Sequence, residues 1–421
     1  MCGEPAITVA LQPSPLTLQG VTGRQHYADT IVIDGNNELT EDLVVVAEKS
    51  LTINGSIQTR HPRKVGDPSP SVTLVCRGGD VLIAAGAMIV GGDGAPGADA
   101  QTVGTAQSDA GTNGGHVLIL GVNIIHEGEI YGANGGQGGE ARASAGPESA
   151  VAVAGCGGYA GHVLLCAVES IKLREYSLIR GGDGGNGGAA TAHPSHFGES
   201  YARAGDSSDS GSVYFESRTA AGCLVLIEAG ATVRAGNGSG RGDYRGFATP
   251  ALAQPNLRGS GGNAEGIGGA GAIGGDVVFG NCHVDNRGGV VKSGDGGKGG
   301  QGHGYGGEGW SVPAGGHTGG NASATGGAGA PAGAQPEWVD LAGQLQKGTQ
   351  GDYGWGGDAI AVGGDGGNAA PGNMGGASGS SEAIGGVGGN GQAALLIQHV
   401  SQPATTNDGA WAIDAPSPGG R

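Results

Sequence analysis

Residues Gly181-Gly182-Asp183-Gly184-Gly185-Asn186-Gly187-Gly188 repeat with a period of three. Glycine falls at 181, 184 and 187 and again at 182, 185 and 188, so only Asp183 and Asn186 project from the third face. The tract Gly296-Gly-Lys-Gly-Gly-Gln-Gly302 has the same form, with Lys298 and Gln301 projecting. Three residues per turn without internal hydrogen bonds is polyproline-II-type geometry. With glycine on two faces of three, such helices can approach until their backbones bond one another. Ordering glycine costs backbone entropy, so an isolated tract would be a flexible linker. Regular spacing and intervening strand-like runs argue for ordered rows over loose loops.

The tract belongs to a longer repeat. Ile89-Val-Gly-Gly-Asp93-Gly, Ile130-Tyr-Gly-Ala-Asn134-Gly, Ile179-Arg-Gly-Gly-Asp183-Gly, Val233-Arg-Ala-Gly-Asn237-Gly, Val291-Lys-Ser-Gly-Asp295-Gly and Ala361-Val-Gly-Gly-Asp365-Gly share one consensus: apolar, any, small, small, Asx, Gly. Upstream of most copies is a β-type run, such as Val117-Leu-Ile-Leu120 or Val163-Leu-Leu-Cys166. No single unit has two apolar faces, so units must stack and pair strand on strand. The reading is all-β: a parallel β-solenoid with its glycine-rich loops packed as polyglycine-II rows. The only helical apolar period lies in Glu337–Leu345.

Composition supports a thin architecture. Of 421 residues, 97 are glycine and only 4% are aromatic, against a usual glycine share of ~7%. Side chains this small cannot fill a thick helix-on-sheet core, which excludes Rossmann, TIM-barrel and kinase-like enzymes. A net charge of −17 argues against nucleic acid and anionic membranes as partners. No apolar run reaches the ~18 residues of a membrane span. The first twenty residues lack a basic start and carry Pro5, Pro13 and Pro15, which does not fit a classical signal peptide. The six cysteines, Cys2, Cys76, Cys156, Cys166, Cys223 and Cys282, form no CxxC pair. They read first as small, reduced, buried hydrophobes, with a disulfide framework or thiolate zinc site as the alternative.

Candidate chemistry is sparse. The Asx-Gly turns share features with calcium nonapeptides but lack the sixth-position acid, and Asx before glycine is an ordinary turn former. Asp80, His116, His162, Ser212 and Asp276 each precede the valine of a strand, so stacking would align them as one polar ladder, able to titrate or hold a metal. His193-Pro-Ser-His196 with Glu199 has ligand-type residues, but Pro194 prevents a helical face. Arg241-Gly242-Asp243 is a short tripeptide expected by chance at this composition. No carboxylate pair for glycoside cleavage can be singled out. No metal or cofactor is expected.

All four tryptophans follow residue 300, and Tyr305, Trp310, Trp338, Tyr353 and Trp355 crowd the longest repeat interval. They read either as rigid anchors for a receptor or as a plug closing the end of the stack. Recognition is expected in the variable stretches 98–113, 140–157, 189–210, 243–258 and 303–356.

The alternation of glycine motifs with variable segments over 89–392 resembles the adhesin tips of T-even-type phage tail fibres, whose glycine motifs form packed polyglycine-II rows. This chain carries more strand than that family. Residues 30–57 resemble the β-helical coils of haemagglutinin-type bacterial surface adhesins, without that group's secretion signal. Both resemblances imply a rigid, extended, non-enzymatic protein that attaches to a cell-surface receptor or glycan, self-associates, or docks to a larger particle. It would act outside the cell or on a virion. A filament or sheath subunit and a glycan depolymerase on the same scaffold are the alternatives. The expected organisation is an N-terminal attachment segment (1–28), β-helix coils (29–88), glycine-rich repeats (89–300), an aromatic-bearing terminal region (301–392) and a closing strand with its tail (393–421).

Overall fold

A computed structural model describes residues 15–59, 64–144, 149–193, 198–238, 251–253, 262–309, 316–366, 376–389 and 396–399. Among them the secondary structure is strand, turn and extended chain, with no helix. Nearly all strand pairs are parallel, and partners lie far apart in sequence. Leu43–Ile53 lies beside Arg24–Ile33, and Val117–His126 beside Val163–Leu173. Val163–Leu173 in turn borders Val213–Ser217 and Cys223–Ile227.

Register alignment puts like residues on top of like. One inward column runs Ile31, Leu51, Val81, Ile124, Ile171, Val225, Val284. A second runs Ile57, Ile89, Ile130, Ile179, Val233, Val291 on a neighbouring seven-stranded sheet. These residues form one core, and burying each aliphatic side chain contributes roughly 1.5–3 kcal/mol. β-Branched residues suit both the pleat and the stack.

From this core the chain leaves and returns by glycine tracts. Outgoing tracts 91–99, 132–140, 181–189 and 293–301 and returning tracts 108–116, 154–162, 204–212 and 268–276 each fill nine residues between strands, three turns of three. Their backbones bond each other every third residue. Gly132, Gly135 and Gly138 donate to the carbonyls of Arg180, Asp183 and Asn186 at 2.8, 2.9 and 2.8 Å. Gly136 and Gly139 donate instead to Thr112 and Asp109 of a returning tract, both at 2.9 Å. The rows therefore bond in two directions. Glycine is required by close approach: a Cβ on Gly184 would sit 1.7 Å from the Ser208 carbonyl oxygen, and one on Gly299 1.8 Å from that of Gly327.

Beyond the tracts, the stretches 98–113, 140–157 and 189–210 contain strands, not only loops: Ala100–Val103 and Thr105–Gln107, Ala141–Ser144 and Ser149–Val153, Ala190–Ala192 and Glu199–Arg203. Ala141, Ala143, Ala150, Ala152, Ala190, Ala192 and Ala202 form a second core made of alanine. Their alternation at period two is a strand signal that the surrounding glycine obscures. Glu337–Leu345, the one helical period, is a β-hairpin instead. Glu337–Val339 pairs antiparallel with Leu345–Lys347, because Asp340 turns the chain by accepting the N–H groups of Ala342 and Gln344 at 2.9 and 2.8 Å.

Candidate functional site

The Asx residues of the repeat form a single column. Asp93 Oδ1 accepts the backbone N–H of Asn134 at 2.8 Å, and Asn134 Oδ1 accepts that of Asp183 at 3.0 Å. The chain continues from Asp183 to Asn237, Asn237 to Asp295 and Asp295 to Asp352 at 2.8, 3.1 and 2.8 Å. In a three-fold helix two of three N–H groups reach neighbouring rows; the third is left, and the Asx oxygen below takes it. The sixth member is Asp352 rather than Asp365, which follows the strand Ala359–Val362 instead of preceding it.

At Asp183, Asn237 and Asp295 a cation three residues upstream closes over the column. Arg180 Nη2 donates to both carboxylate oxygens of Asp183 at 2.8 and 2.7 Å, Arg234 spans Asn237 and Asp295, and Lys292 reaches Asp295 at 3.1 Å. Burial raises the pKa of Asp183, with the Arg180 charge pulling the other way. At Asp295 burial also pushes upward, but the Asp352 N–H, Lys292 and Arg234 together outweigh it and leave the carboxyl below its usual range. At Asp183, Asn237 and Asp295 the side-chain oxygens are thus shared between backbone N–H groups and these cations. Among the described residues no group of three or more His, Cys, Asp or Glu is placed to hold a metal.

The polar ladder expected before each strand exists with one change. Asp42 accepts from Ser71, Ser71 from His116, His116 Nδ1 from His162, His162 Nδ1 from Ser212, Ser212 from Asp276 and Asp276 from Ala334, over 2.7–3.1 Å. Ser71 takes the place expected for Asp80, which pairs in register with Ser50, because this repeat splits its strand into Val72–Cys76 and Asp80–Ile83. His116 and His162 stack with centroids 5.2 Å apart. Burial lowers the pKa of both, the neighbouring His116 adding to the effect at His162. Each Nδ1 is an acceptor, so both rings are neutral Nε2–H tautomers.

Of the candidate aromatics, four lie among the described residues. Trp338 is 7% exposed in the main core, edge-on to Phe279, which stacks on Phe215; it plugs the end of the aliphatic stack. Tyr305 lies on the strand Gly302–Tyr305, near His303. Tyr353 and Trp355 are 43% and 53% exposed on the tract 350–358. Trp310, Arg241-Gly242-Asp243 and His196 lie outside the described residues. Cys76, Cys156, Cys223 and Cys282 are free thiols, whereas Cys166 is disulfide-bonded, which departs from six reduced cysteines.

On the outward face of the strands Ser149–Val153, Glu199–Arg203, Ala264–Ile267, Ala322–Thr325 and Ser381–Ile384 lies an open groove of about 520 Å³, lined by Tyr201, Glu199, Glu265, Glu382, Asn263 and Ser323 among others. Tyr201, Glu265, Ser323 and Glu382 share one register column. The chain matches no protein-family model, no curated protein and no solved structure. No described helix is long and apolar enough to cross a membrane.

Proposed function

We propose that this chain is a non-enzymatic, rod-like adhesive protein of the kind found at tail-fibre tips, binding a cell-surface receptor or glycan from an extracellular or virion-borne position. In this reading the parallel ladders make one β-solenoid, and the nine-residue tracts pack as polyglycine-II rows. Its recurrent polar residues serve the scaffold, so recognition falls to what the scaffold displays.

The observation that carries the reading is the exposed pair Tyr353 and Trp355 on a bonded row. The Trp355 carbonyl accepts the N–H of Gly299 at 2.8 Å, and Gly354 donates to Ala330 at 2.8 Å. Aromatic side chains on a fixed backbone offer large contact area at small entropic cost. The Tyr201 groove adds a ring beside carboxylates and amides, the mixture that sugar hydroxyls and ring faces accept.

The test is binding of the purified chain to intact cell envelopes, parent against Tyr353→Ala with Trp355→Ala. The reading requires at least a tenfold loss of binding with an unchanged melting temperature. Undiminished binding by the double variant removes this patch as the site. Release of reducing sugar from capsule would replace the adhesin with a glycan depolymerase, and fibres in negative-stain images would replace it with a filament subunit.

A further inference from the structure

Cys223 and Cys282 open the strands Cys223–Ile227 and Cys282–Asn286, and they pair in parallel register. Both are free thiols, and their sulfurs lie 2.9 Å apart. In-register neighbours in a ladder have Cα atoms ~4.8 Å apart, inside the roughly 4.4–6.8 Å range of disulfides, so the backbone spacing is compatible with a bond. Cys223 is 3% exposed, while Cys282 is half-buried and can meet a solute. Phe215 and Gly280 carbonyls lie 3.6 and 3.3 Å from the Cys282 sulfur, ready to take its S–H. Among the described residues neither of the other free thiols has a second sulfur beside it: Cys76 is buried, and Cys156 stands exposed on a glycine tract.

We propose that Cys223 and Cys282 form an oxidation site, closing into a disulfide when the folded chain meets a small-molecule disulfide such as glutathione disulfide. Hydroxide in the buffer takes the Cys282 proton, which the contact with Cys223 and burial otherwise hold in place, and the thiolate attacks one sulfur of the reagent. The reagent's S–S bond breaks, releasing one glutathione thiolate and leaving a mixed disulfide on Cys282. The Cys223 thiolate, its own proton passed to solvent, then attacks the Cys282 sulfur and expels the second glutathione. Two protein thiols are oxidised, one glutathione disulfide is reduced to two glutathiones, and the released protons return to them. The bond would staple the last two layers of the long sheet, beside the strand Val277–Gly280 whose Phe279 meets the Trp338 plug. It closes a 59-residue interval, which restricts the unfolded chain.

The experiment exposes the folded full-length Cys156→Ser protein to glutathione disulfide at pH 8, quenches with acid, alkylates and maps peptides without reduction. The expected result is one cross-linked peptide joining Cys223 to Cys282. A rise of several degrees in melting temperature should accompany it, reversed by dithiothreitol and absent in both Cys223→Ser and Cys282→Ser. If both cysteines remain alkylatable in the folded parent while the unfolded chain cross-links, the site does not exist. An equal rise in Cys223→Ser would also overturn it. The peptide map needs no variant at 223 or 282, so a poorly folding substitution leaves the test intact.

Discussion

The Oδ1 atom of Asp183 accepts the backbone N–H of Asn237, 54 residues further along the chain, at 2.8 Å. Both residues are buried, at 2% and 4% exposure, so neither group can exchange this bond for water. The same relation links five successive Asx pairs. It explains why the repeat specifies Asp or Asn there: the position needs a short side-chain acceptor.

Asp183→Ala therefore leaves a buried N–H without a partner and Arg180 without its carboxylate, at a cost of about 1–3 kcal/mol. Asp183→Asn keeps the acceptor and should lose less. Chemical denaturation of the two variants checks the order; equal losses would show that the charge pair, not the rung, matters.

Gly184→Val and Gly299→Val place side chains where neighbouring carbonyls lie under 2 Å from the new Cβ. Rows cannot yield without breaking bonds in both directions, so each variant should lose more than about 3 kcal/mol and most of its soluble, protease-resistant yield. Asn186→Ala should retain both. Limited proteolysis reads the difference.

How much of this was legible in the sequence follows from which residues repeat. The three-residue glycine period and the Asx consensus point directly to bonded rows, and the aliphatic runs to parallel ladders. Alanine at 141, 143, 150 and 152 does not announce a core in the sequence, because alanine is too small to stand out among glycines. Asp365 looks like the sixth rung by local motif, yet Asp352 holds it, since register is set by pairing across space rather than by adjacent letters. Trp338 reads from the sequence as anchor or plug, and its burial against Phe279 is long-range packing that no local pattern encodes.

Acid should weaken the fold through its histidines. His126 lies in the main stack between Ile83 and Leu173, with Nε2 3.1 Å from the Leu178 carbonyl. Burial lowers its pKa to about 4 from 6.5. The folded state holds the neutral ring while the unfolded chain protonates below about 6.5. Stability is therefore complete above that pH and falls as pH drops toward 4, by roughly 3 kcal/mol from this residue. His116 and His162 shift in the same direction and would each lose an acceptor Nδ1 on protonation. His126→Leu should flatten the dependence of melting temperature on pH between 6.5 and 4; an unchanged slope would show that His126 does not carry it.

Trp338 and Trp355 should separate structure from binding. Trp338→Ala opens the end of the core beside Phe279 and should cost about 3–5 kcal/mol. Trp355→Ala, on an exposed row, should stay within about 0.5 kcal/mol of the parent. Thermal unfolding of both decides it, and a large loss in Trp355→Ala would make that residue a structural contact.

The central claim is that the glycine tracts are rows of bonded backbone, and amide hydrogen exchange at residues 181–188 and 296–302 tests it most directly. Bonded rows predict that Gly184, Gly185, Gly299 and Gly300 exchange as slowly as the strand Val163–Leu173, orders of magnitude below an open chain. Exchange at open-chain rates in these glycines, with the strand still protected, would contradict the account.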